Sequence, residues 1–212
     1  MPSSQQILEG LADVTNGWRS LAIAWHVVLG AFLSALLLGW RPGKRLTGLL
    51  LAAPIASVSA LAWATGNPFN GTLFFVITAG LVGVALRLPS TSVRIGPPWL
   101  TIAGGVLIAF GWVYPHFLRT DSWAAYLYAA PLGLIPCPTL SAVAGVSLVV
   151  EGLGSTKWSL TLAAIGVLYG VIGVFRLGVV IDLVLLVGAL TLVLVTVVRP
   201  GWAVAASGGT KA

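Results

Sequence analysis

The sequence is poor in charge. Only 8% of its 212 residues are Asp, Glu, Lys or Arg, whereas about a quarter of the residues in a soluble domain are charged. So few charged side chains cannot cover the surface of a water-soluble domain of this size. The chain therefore needs lipid as its main solvent, and its mean hydropathy of +1.02 agrees with this.

Basic patches and cysteine clusters are also missing. The net charge of +6 comes from basic residues scattered at the ends of apolar runs, so we expect no nucleic-acid partner. The single cysteine, Cys137, excludes an internal disulfide and a cysteine-cluster metal site. No catalytic triad, phosphate-binding loop or zinc-protease pattern occurs. We therefore predict no catalytic residue, assign no cofactor or metal, and regard an enzyme as the less favoured class.

What the sequence does contain is long apolar runs, each close to the roughly 20 residues that a helix needs to cross a membrane. The predicted fold class is an all-α integral membrane protein with about seven transmembrane helices. Residues 18–199 would form one transmembrane domain, and residues 200–212 a flexible cytoplasmic tail. The predicted spans are Leu21–Gly39, Leu46–Ala64, Thr72–Leu86, Trp99–Leu118, a fifth starting near Pro138, Trp158–Phe175 and Gly178–Val198.

The region before the fifth span is predicted to be irregular. A straight helix from Trp123 to Leu153 would be longer than the hydrocarbon thickness of about 30 Å. Pro131, Pro136 and Pro138 interrupt it, and each proline removes a backbone donor. We interpret the part up to Ile135 as an interfacial or re-entrant segment.

The N-terminal segment, residues 1–17, is predicted to lie outside the membrane on the extracytoplasmic side. Its apolar residues recur at helical spacing, which is typical of an amphipathic helix on a membrane surface. A disordered leader is the alternative, and the sequence does not decide between the two. The spaced apolar residues are Ile7, Leu8, Leu11 and Val14.

The distribution of basic residues predicts the orientation. Cytoplasmic loops carry an excess of Lys and Arg. With the Arg41–Arg45 turn inside, three basic residues lie outside (Arg19, Arg119 and Arg176) and eight lie inside. This arrangement is N-out and C-in, and we expect the membrane to be a bacterial cytoplasmic membrane. The inside set is Arg41, Lys44, Arg45, Arg87, Arg94, Lys157, Arg199 and Lys211.

Two spans carry small residues four apart, a spacing that lets helices approach closely in lipid. Close packing within one chain is the favoured interpretation. The alternatives are a homo-oligomer or an interface with other membrane subunits. The small residues are Ala52, Ala56, Ala60 and Ala64 in the second span, and Gly166 and Gly170 in the sixth.

Polar residues able to bind a ligand all fall toward the outer side in this orientation. Such groups are costly inside a membrane, so they mark candidate functional sites. Each alone has a structural explanation, but their clustering beside a broken helix predicts an outward-facing cavity for a small polar solute or a cation. The predicted ligand-binding residues are His26, Tyr114, His116, Asp121, Cys137, Arg176 and Asp182.

Three segments resemble an uncharacterised family of bacterial multi-pass membrane proteins. That family has a Tyr-Pro near the end of one helix and a Gly-Leu-Pro-Cys-Pro-Thr element opening the next. The resemblance groups Tyr114, Pro115, Cys137 and Asp182 as signature positions and implies no particular activity. The matching segments are Gly111-Trp112-Val113-Tyr114-Pro115, Pro131-Leu132-Gly133-Leu134-Ile135-Pro136-Cys137-Pro138-Thr139, and Gly178-Val179-Val180-Ile181-Asp182, the last similar to Gly-Val-Pro-Gln-Asp.

Three function classes follow from these patterns. The polar cluster beside a broken helix favours a transporter or channel for a small solute or ion. An accessory or scaffold subunit of a larger membrane complex is the alternative, and a membrane enzyme or redox protein is third. An alternating-access transporter is expected to show internal repeats and a midplane site, and the sequence shows neither.

Overall fold

A computed structural model describes residues 3–198 of the chain. Within that range every named element is helical, which confirms the predicted all-α class. The tail predicted for residues 200–212 lies outside the described residues. The helices are α1 Ser4–Gly17, α2 Arg19–Leu37, α3 Lys44–Ala64, α4 Pro68–Arg87, α5 Pro98–Val113, α6 Tyr126–Ala129, α7 Pro136–Val149, α8 Thr156–Val171 and α9 Leu183–Val198.

Five helical segments are long and apolar enough to cross a membrane. These five segments agree with the predicted membrane protein. The helices α5 and α7 are apolar but shorter, with 16 and 14 residues. The number of spans and their orientation stay predictions. The five segments are Arg19–Leu37, Lys44–Ala64, Pro68–Arg87, Thr156–Arg176 and Val180–Val198.

The helix α7 lies at the centre of the bundle. It contacts α3, α5, α8 and α9, and nearly all of its residues are buried. A helix that is apolar on all sides must be covered on all sides. Because its neighbours provide that cover, α7 can be shorter than the lipid-facing helices around it.

Glycines bring α5 and α7 into backbone contact. A Cβ atom on Gly104 would collide with the carbonyl oxygen of Gly145, and one on Gly145 would lie 2.5 Å from the carbonyl oxygen of Gly104. Two helical turns further along α5, a Cβ atom on Gly111 would collide with the carbonyl oxygen of Pro138. Close approach of this kind is how helices pack when lipid removes the hydrophobic driving force between them.

The predicted Gly166–Gly170 step packs within the chain. A Cβ atom on Gly166 would lie 2.9 Å from that of Ala189, and one on Gly170 would lie 2.8 Å from that of Leu186, both in α9. This confirms the intramolecular interpretation for the two glycines. In the alanine repeat of α3, Ala52 is buried, whereas its last two members are exposed. A homo-oligomer stays a prediction.

Several helix boundaries differ from the prediction. The helix α5 ends at Val113 instead of Leu118, because Tyr114 precedes Pro115 and a residue before proline avoids the helical region. The helix α4 begins at Pro68 instead of Thr72. Proline fits the first turn of a helix, where no backbone donor is needed. The helix break predicted before the fifth span is present, because no helix covers residues 130–135 before α7.

The segment that was predicted to be irregular contains only short helical pieces. A 3₁₀ turn covers Trp123–Ala125 and α6 follows directly. Residues 130–135 are then buried without regular structure up to the start of α7. Buried coil of this kind is tolerated at membrane depth only where protein surrounds it.

The N-terminal segment forms a helix, as the amphipathic interpretation predicted. The helix α1 begins with a capping box, in which the Ser3 hydroxyl accepts from the Gln6 amide and the Gln6 side chain accepts from the Ser3 amide. It ends at Gly17, and α2 begins two residues later, at Arg19. The break at Trp18 lets α1 lie apart from the axis of α2.

The bundle has two ends of different character. We call the end that holds α1, residues 114–135 and residues 172–182 the α1 end. We call the opposite end, with loops 38–43, 88–97 and 150–155, the basic end. Within the described residues, the basic end carries one acid, Glu151, and six basic residues: Arg41, Lys44, Arg45, Arg87, Arg94 and Lys157.

Candidate functional site

A buried carboxyl group marks the candidate site. The Asp182 side chain is at the α1 end, and the residue is only 2% exposed. The Tyr114 hydroxyl donates a hydrogen bond of 2.7 Å to its Oδ1, and the Cys137 side chain also hydrogen-bonds with the carboxyl. We call these three residues the Asp182 cluster. The structure thus brings together three of the seven predicted residues.

Helix ends position the three side chains. Tyr114 directly follows α5, Cys137 is the second residue of α7, and Asp182 closes the 3₁₀ turn before α9. The sequence predicted that these ends share one level. The N-termini of α7 and α9 both lie at this level, and the positive end of a helix dipole stabilises a negative charge.

A glycine makes room for the carboxyl group. Gly173 lies in a π-helical turn, Ile172–Arg176, that extends α8. A Cβ atom on Gly173 would overlap Oδ2 of Asp182. The carbonyl of Gly173 accepts a bond of 2.9 Å from the Val179 amide, which closes the turn leading to Asp182. Sequence reasoning missed Gly173, because nothing in its spacing signals a π turn.

Aromatic rings separate the cluster from the surface. The rings of Tyr114 and Phe117 are stacked with centroids 6.1 Å apart. The ring of His116 meets Phe117 edge-on at 4.3 Å. Phe117 has a φ of +72°, which is a rare conformation for a bulky residue. Strain of this kind tends to occur at functional sites, and no sequence pattern predicted it.

The helix α1 covers the cluster. Its residues Leu11 and Val14 pack against the buried apolar cluster that contains Tyr114, as Phe117 and Ile181 do. This apolar contact accounts for the helical spacing noted in the sequence. Tyr114 and Asp182 are therefore buried between α1 and the ends of α5, α7 and α9, whereas Cys137 stays partly exposed.

Polar contacts fix α1 to the loop after α5. The Asn16 side-chain amide donates to the Phe117 carbonyl at 2.9 Å, and its oxygen accepts from the Arg119 amide at 2.9 Å. The Arg119 guanidinium pairs with Asp13 at 3.1 Å. At the other end of α1, the Ser4 hydroxyl donates to the Arg176 carbonyl at 2.9 Å. These contacts connect α1 to two of the loops that flank the cluster.

His26 has a different environment from the cluster. It is buried in α2, and its ring nitrogens lie 2.8 Å and 2.9 Å from the carbonyl oxygens of Ala22 and Trp112. Its ring also meets that of Trp112 edge-on at 4.8 Å. These contacts connect α2 to α5, and the partners are backbone groups and an indole. The structure therefore gives His26 a packing role.

The remaining predicted residues lie on the outer surface of this end. His116, Asp121 and Arg176 are all exposed. His116 contacts the ring of Phe117. Arg176 ends the π turn, and its carbonyl accepts from Ser4. Asp121 lies in the loop between α5 and α6, so the structure places it outside the enclosed cluster.

An open groove runs between α1 and the loop after α5. It has a volume of about 360 Å³. One wall is α1 and the other is the loop after α5, and Phe117 forms part of that second wall. The groove combines acidic, basic and apolar groups. Its lining residues are Leu8, Glu9, Ala12, His116, Phe117, Leu118 and Arg119.

The donor groups at this end do not form a metal site. Among residues 3–198, no three His, Cys, Asp or Glu side chains are grouped so that they could hold a metal ion. Asp182 and Cys137 interact, but His116 is exposed at the surface. The cluster offers a carboxyl, a hydroxyl and a thiol, which suits a proton or one weakly bound cation.

Comparison with known proteins adds no relative, since no protein-family model, curated protein or solved structure matches the chain. The resemblance drawn from the sequence motifs therefore stays a prediction. The geometry of the site has to carry the functional argument.

Proposed function

We propose that the protein is a seven-span membrane protein, N-out and C-in in a bacterial cytoplasmic membrane, that transports a small cation through the Asp182 cluster. The observation that carries the proposal is the carboxyl group of Asp182, which is 2% exposed and bonded by a hydroxyl and a thiol. Charged groups inside a membrane cost about 2.5–3.5 kcal/mol on insertion scales. A group with that cost, placed where three helix ends meet, is a candidate ion-handling site.

The packing of α5 and α7 supports seven spans. Helices of 16 and 14 residues extend about 24 Å and 21 Å, less than the roughly 30 Å of hydrocarbon. The buried coil at residues 130–135 extends α7 at the α1 end, and the 3₁₀ turn Glu151–Gly154 follows it at the basic end. Because α7 is surrounded by helices, its length need not match the lipid. The chain then crosses the membrane seven times between the two ends.

The charge difference between the ends supports the orientation. Six Lys and Arg face a single acid at the basic end of the described chain. At the α1 end the acids Glu9, Asp13, Asp121 and Asp182 accompany three arginines. An excess of basic residues belongs on the cytoplasmic side. The more acidic α1 end then faces outward, where it attracts cations to the Asp182 cluster.

The chemistry of the cluster supports a cation as the ligand. Two donors, the Tyr114 hydroxyl and the Cys137 thiol, bond with the carboxyl. If these donors rotate away, the carboxyl oxygens become acceptors for a proton or a monovalent cation. The same oxygens would repel an anion.

Cation flux into proteoliposomes tests the proposal. The purified protein is reconstituted, and internal dyes report H⁺, Na⁺ or K⁺ movement under an applied gradient. We expect wild-type flux, and a loss of about tenfold or more in Asp182→Asn, because the neutral amide removes the charge that stabilises the cation. Asp121→Asn is the matched control, since it neutralises an exposed acid at the same end.

Two results would overturn the proposal. One is a wild-type protein that is folded and conducts none of the three cations, which would favour the accessory-subunit alternative. The other is equal flux in wild type and Asp182→Asn. Far-UV circular dichroism and size-exclusion profiles check that both variants keep their helices and do not aggregate.

A further inference from the structure

The strained residue Phe117 lies between two environments. Its ring packs against Tyr114 on the inner side, and the same residue lines the open groove on the outer side. Within the described chain, Phe117 is the residue common to the groove wall and the apolar layer around Tyr114. Removal of this ring would take away part of the apolar layer between the groove and Tyr114.

The conformation of Phe117 depends on α1. Its φ of +72° is unfavourable for a side chain of this size, so neighbouring contacts must hold it. Asn16 supplies them by donating to the Phe117 carbonyl and accepting from the Arg119 amide. One side chain of α1 thus bonds to the backbone on both sides of Leu118. When α1 moves away, the loop loses both bonds and is free to relax.

The attachment of α1 is suited to reversible release. Its ion pair, Asp13 with Arg119, is exposed, with side chains 70% and 66% accessible. Exposed pairs contribute little to stability and are screened by salt. Ser4 is also exposed where it bonds to the Arg176 carbonyl. Local opening occurs where few strong contacts hold an element.

The acids of α1 point to the class of ligand. Glu9 lines the groove, and Asp13 lies one helical turn further along. The α1 wall is acidic and attracts cations, while Arg119 on the opposite wall is paired with Asp13. His116 faces the same groove on the opposite wall. A small cation entering here would pass from Glu9 toward Phe117 and then reach Asp182.

We propose that the groove between α1 and residues 116–119 is the outer entrance to the Asp182 cluster, and that Phe117 is its gate, held closed by Asn16 of α1. This inference rests on the proposed role of the cluster in binding a cation. Closed, the gate gives the buried Tyr114 and Asp182 seen here. Open, with α1 displaced, it exposes Tyr114, Cys137 and Asp182 to the outer solution.

The native thiol allows the gate to be measured directly. Cys137 is the single cysteine of the chain and belongs to the cluster, so its reaction with a membrane-impermeant maleimide reports access. Right-side-out vesicles are labelled over time and compared with inside-out vesicles. We expect slow labelling of the wild type, and labelling from the outer side only.

Two variants should open the gate. Phe117→Ala removes the ring, and Asn16→Ala removes both bonds to the loop. Each should increase the outer labelling rate of Cys137 by about tenfold, because the rate follows the population of the open state. The matched control is Gly10→Ala, also in α1, whose new methyl group would meet nothing within 4 Å. Its labelling should equal that of the wild type.

A second reporter separates gating from unfolding. Ala144 is buried in α7 at 2% exposure, remote in sequence from the gate. In a Cys137→Ala background, Ala144→Cys should stay unlabelled with and without Phe117→Ala. If Phe117→Ala exposes both positions, the variant has unfolded and the gate is refuted. Phe117→Trp should keep the wild-type rate at Cys137, because a large ring still fills the gap.

The gate and the transport proposal can fail separately. Unchanged labelling in Phe117→Ala and Asn16→Ala would overturn the gate, even if Asp182→Asn abolishes flux. Accelerated labelling without wild-type flux of H⁺, Na⁺ or K⁺ would support the gate and overturn transport. Labelling of Cys137 only from the inner side would contradict the entrance and the orientation together.

Discussion

The two ends of the bundle are held together in different ways. At the basic end, the loops join through their backbones. The Lys44 amide donates to the Thr91 carbonyl at 2.9 Å, and the Val93 amide donates to the Pro42 carbonyl at 2.8 Å. The Gly96 amide then reaches the carbonyl at residue 149, also at 2.8 Å. Such bonds depend little on which side chains are present.

The α1 end is held by side chains. Asn16 bonds to the loop after α5, the Tyr114 hydroxyl bonds to Asp182, and Asp13 pairs with Arg119. It also contains the buried carboxyl and the strained Phe117. Each of these contacts would be lost with a single substitution, whereas those at the basic end would not.

The two ends therefore differ in how readily a single substitution removes their contacts. Arginines at the basic end also bind backbone carbonyls, as Arg45 does with the Leu88 carbonyl at 3.3 Å. Positive groups near helix C-termini complement the helix dipole. The basic end is therefore held mainly by backbone contacts. The α1 end carries costly, exchangeable polar contacts, which is what a site that opens and closes requires.

The largest expected effect comes from Gly173→Ala. The new methyl group would displace the Asp182 carboxyl, so we expect a loss of about 3 kcal/mol in the free energy of unfolding and loss of cation flux. At the basic end, a Cβ atom on Gly96 would lie 3.3 Å from the Leu148 carbonyl oxygen. Gly96→Ala should therefore cost less and leave flux unchanged. Denaturant unfolding in detergent and flux measurements check both.

Two buried aromatic donors give a matched pair with a smaller effect. The Trp158 indole donates to the Ser147 hydroxyl at 3.0 Å near the basic end, as the Tyr114 hydroxyl does to Asp182 at the α1 end. Tyr114→Phe and Trp158→Phe should each cost about 1–2 kcal/mol, since each leaves a buried acceptor with one donor fewer. Only Tyr114→Phe should alter flux. Equal flux loss in both would mean that the ends do not differ in function.

The sequence predicted what depends on hydropathy and on helix ends. The long apolar helices appear within a few residues of the predicted bounds, because lipid requires a minimum length of apolar helix. The prediction placed Tyr114, Cys137 and Asp182 at one level, and a hydrogen bond joins Tyr114 to Asp182 in the structure. Prolines determine where two of those helix ends fall, at Pro115 and Pro136.

Contacts made by loops could not be predicted in this way. The positive φ of Phe117 and the two hydrogen bonds of the Asn16 side chain depend on how α1 lies over the loop. Hydropathy indicated that α1 is amphipathic but not which surface it covers. For the same reason, the sequence predicted an outward-facing cavity, and the structure shows a cluster enclosed by α1. His26 was grouped with the cluster by depth alone, and depth does not determine which way a helix face points.

The smallest expected effect concerns two ion pairs of the described residues, one at each end. Arg94 pairs with Glu151 at 3.7 Å at the basic end, and Arg119 pairs with Asp13 at 3.1 Å at the α1 end. Arg94→Ala and Arg119→Ala should each change the free energy of unfolding by less than about 1 kcal/mol, because exposed pairs are weak. The two variants should nevertheless differ in the labelling rate of Cys137.

Only Arg119→Ala should speed that labelling, because Arg119 helps to hold α1 over the Phe117 gate. Salt gives an independent check, since about 1 M salt shortens the screening length to roughly 3 Å. High salt should raise the wild-type rate toward that of Arg119→Ala and change the Arg119→Ala rate little. If Arg94→Ala speeds labelling equally, the basic end is coupled to the gate. The division between a fixed end and an opening end would then be wrong.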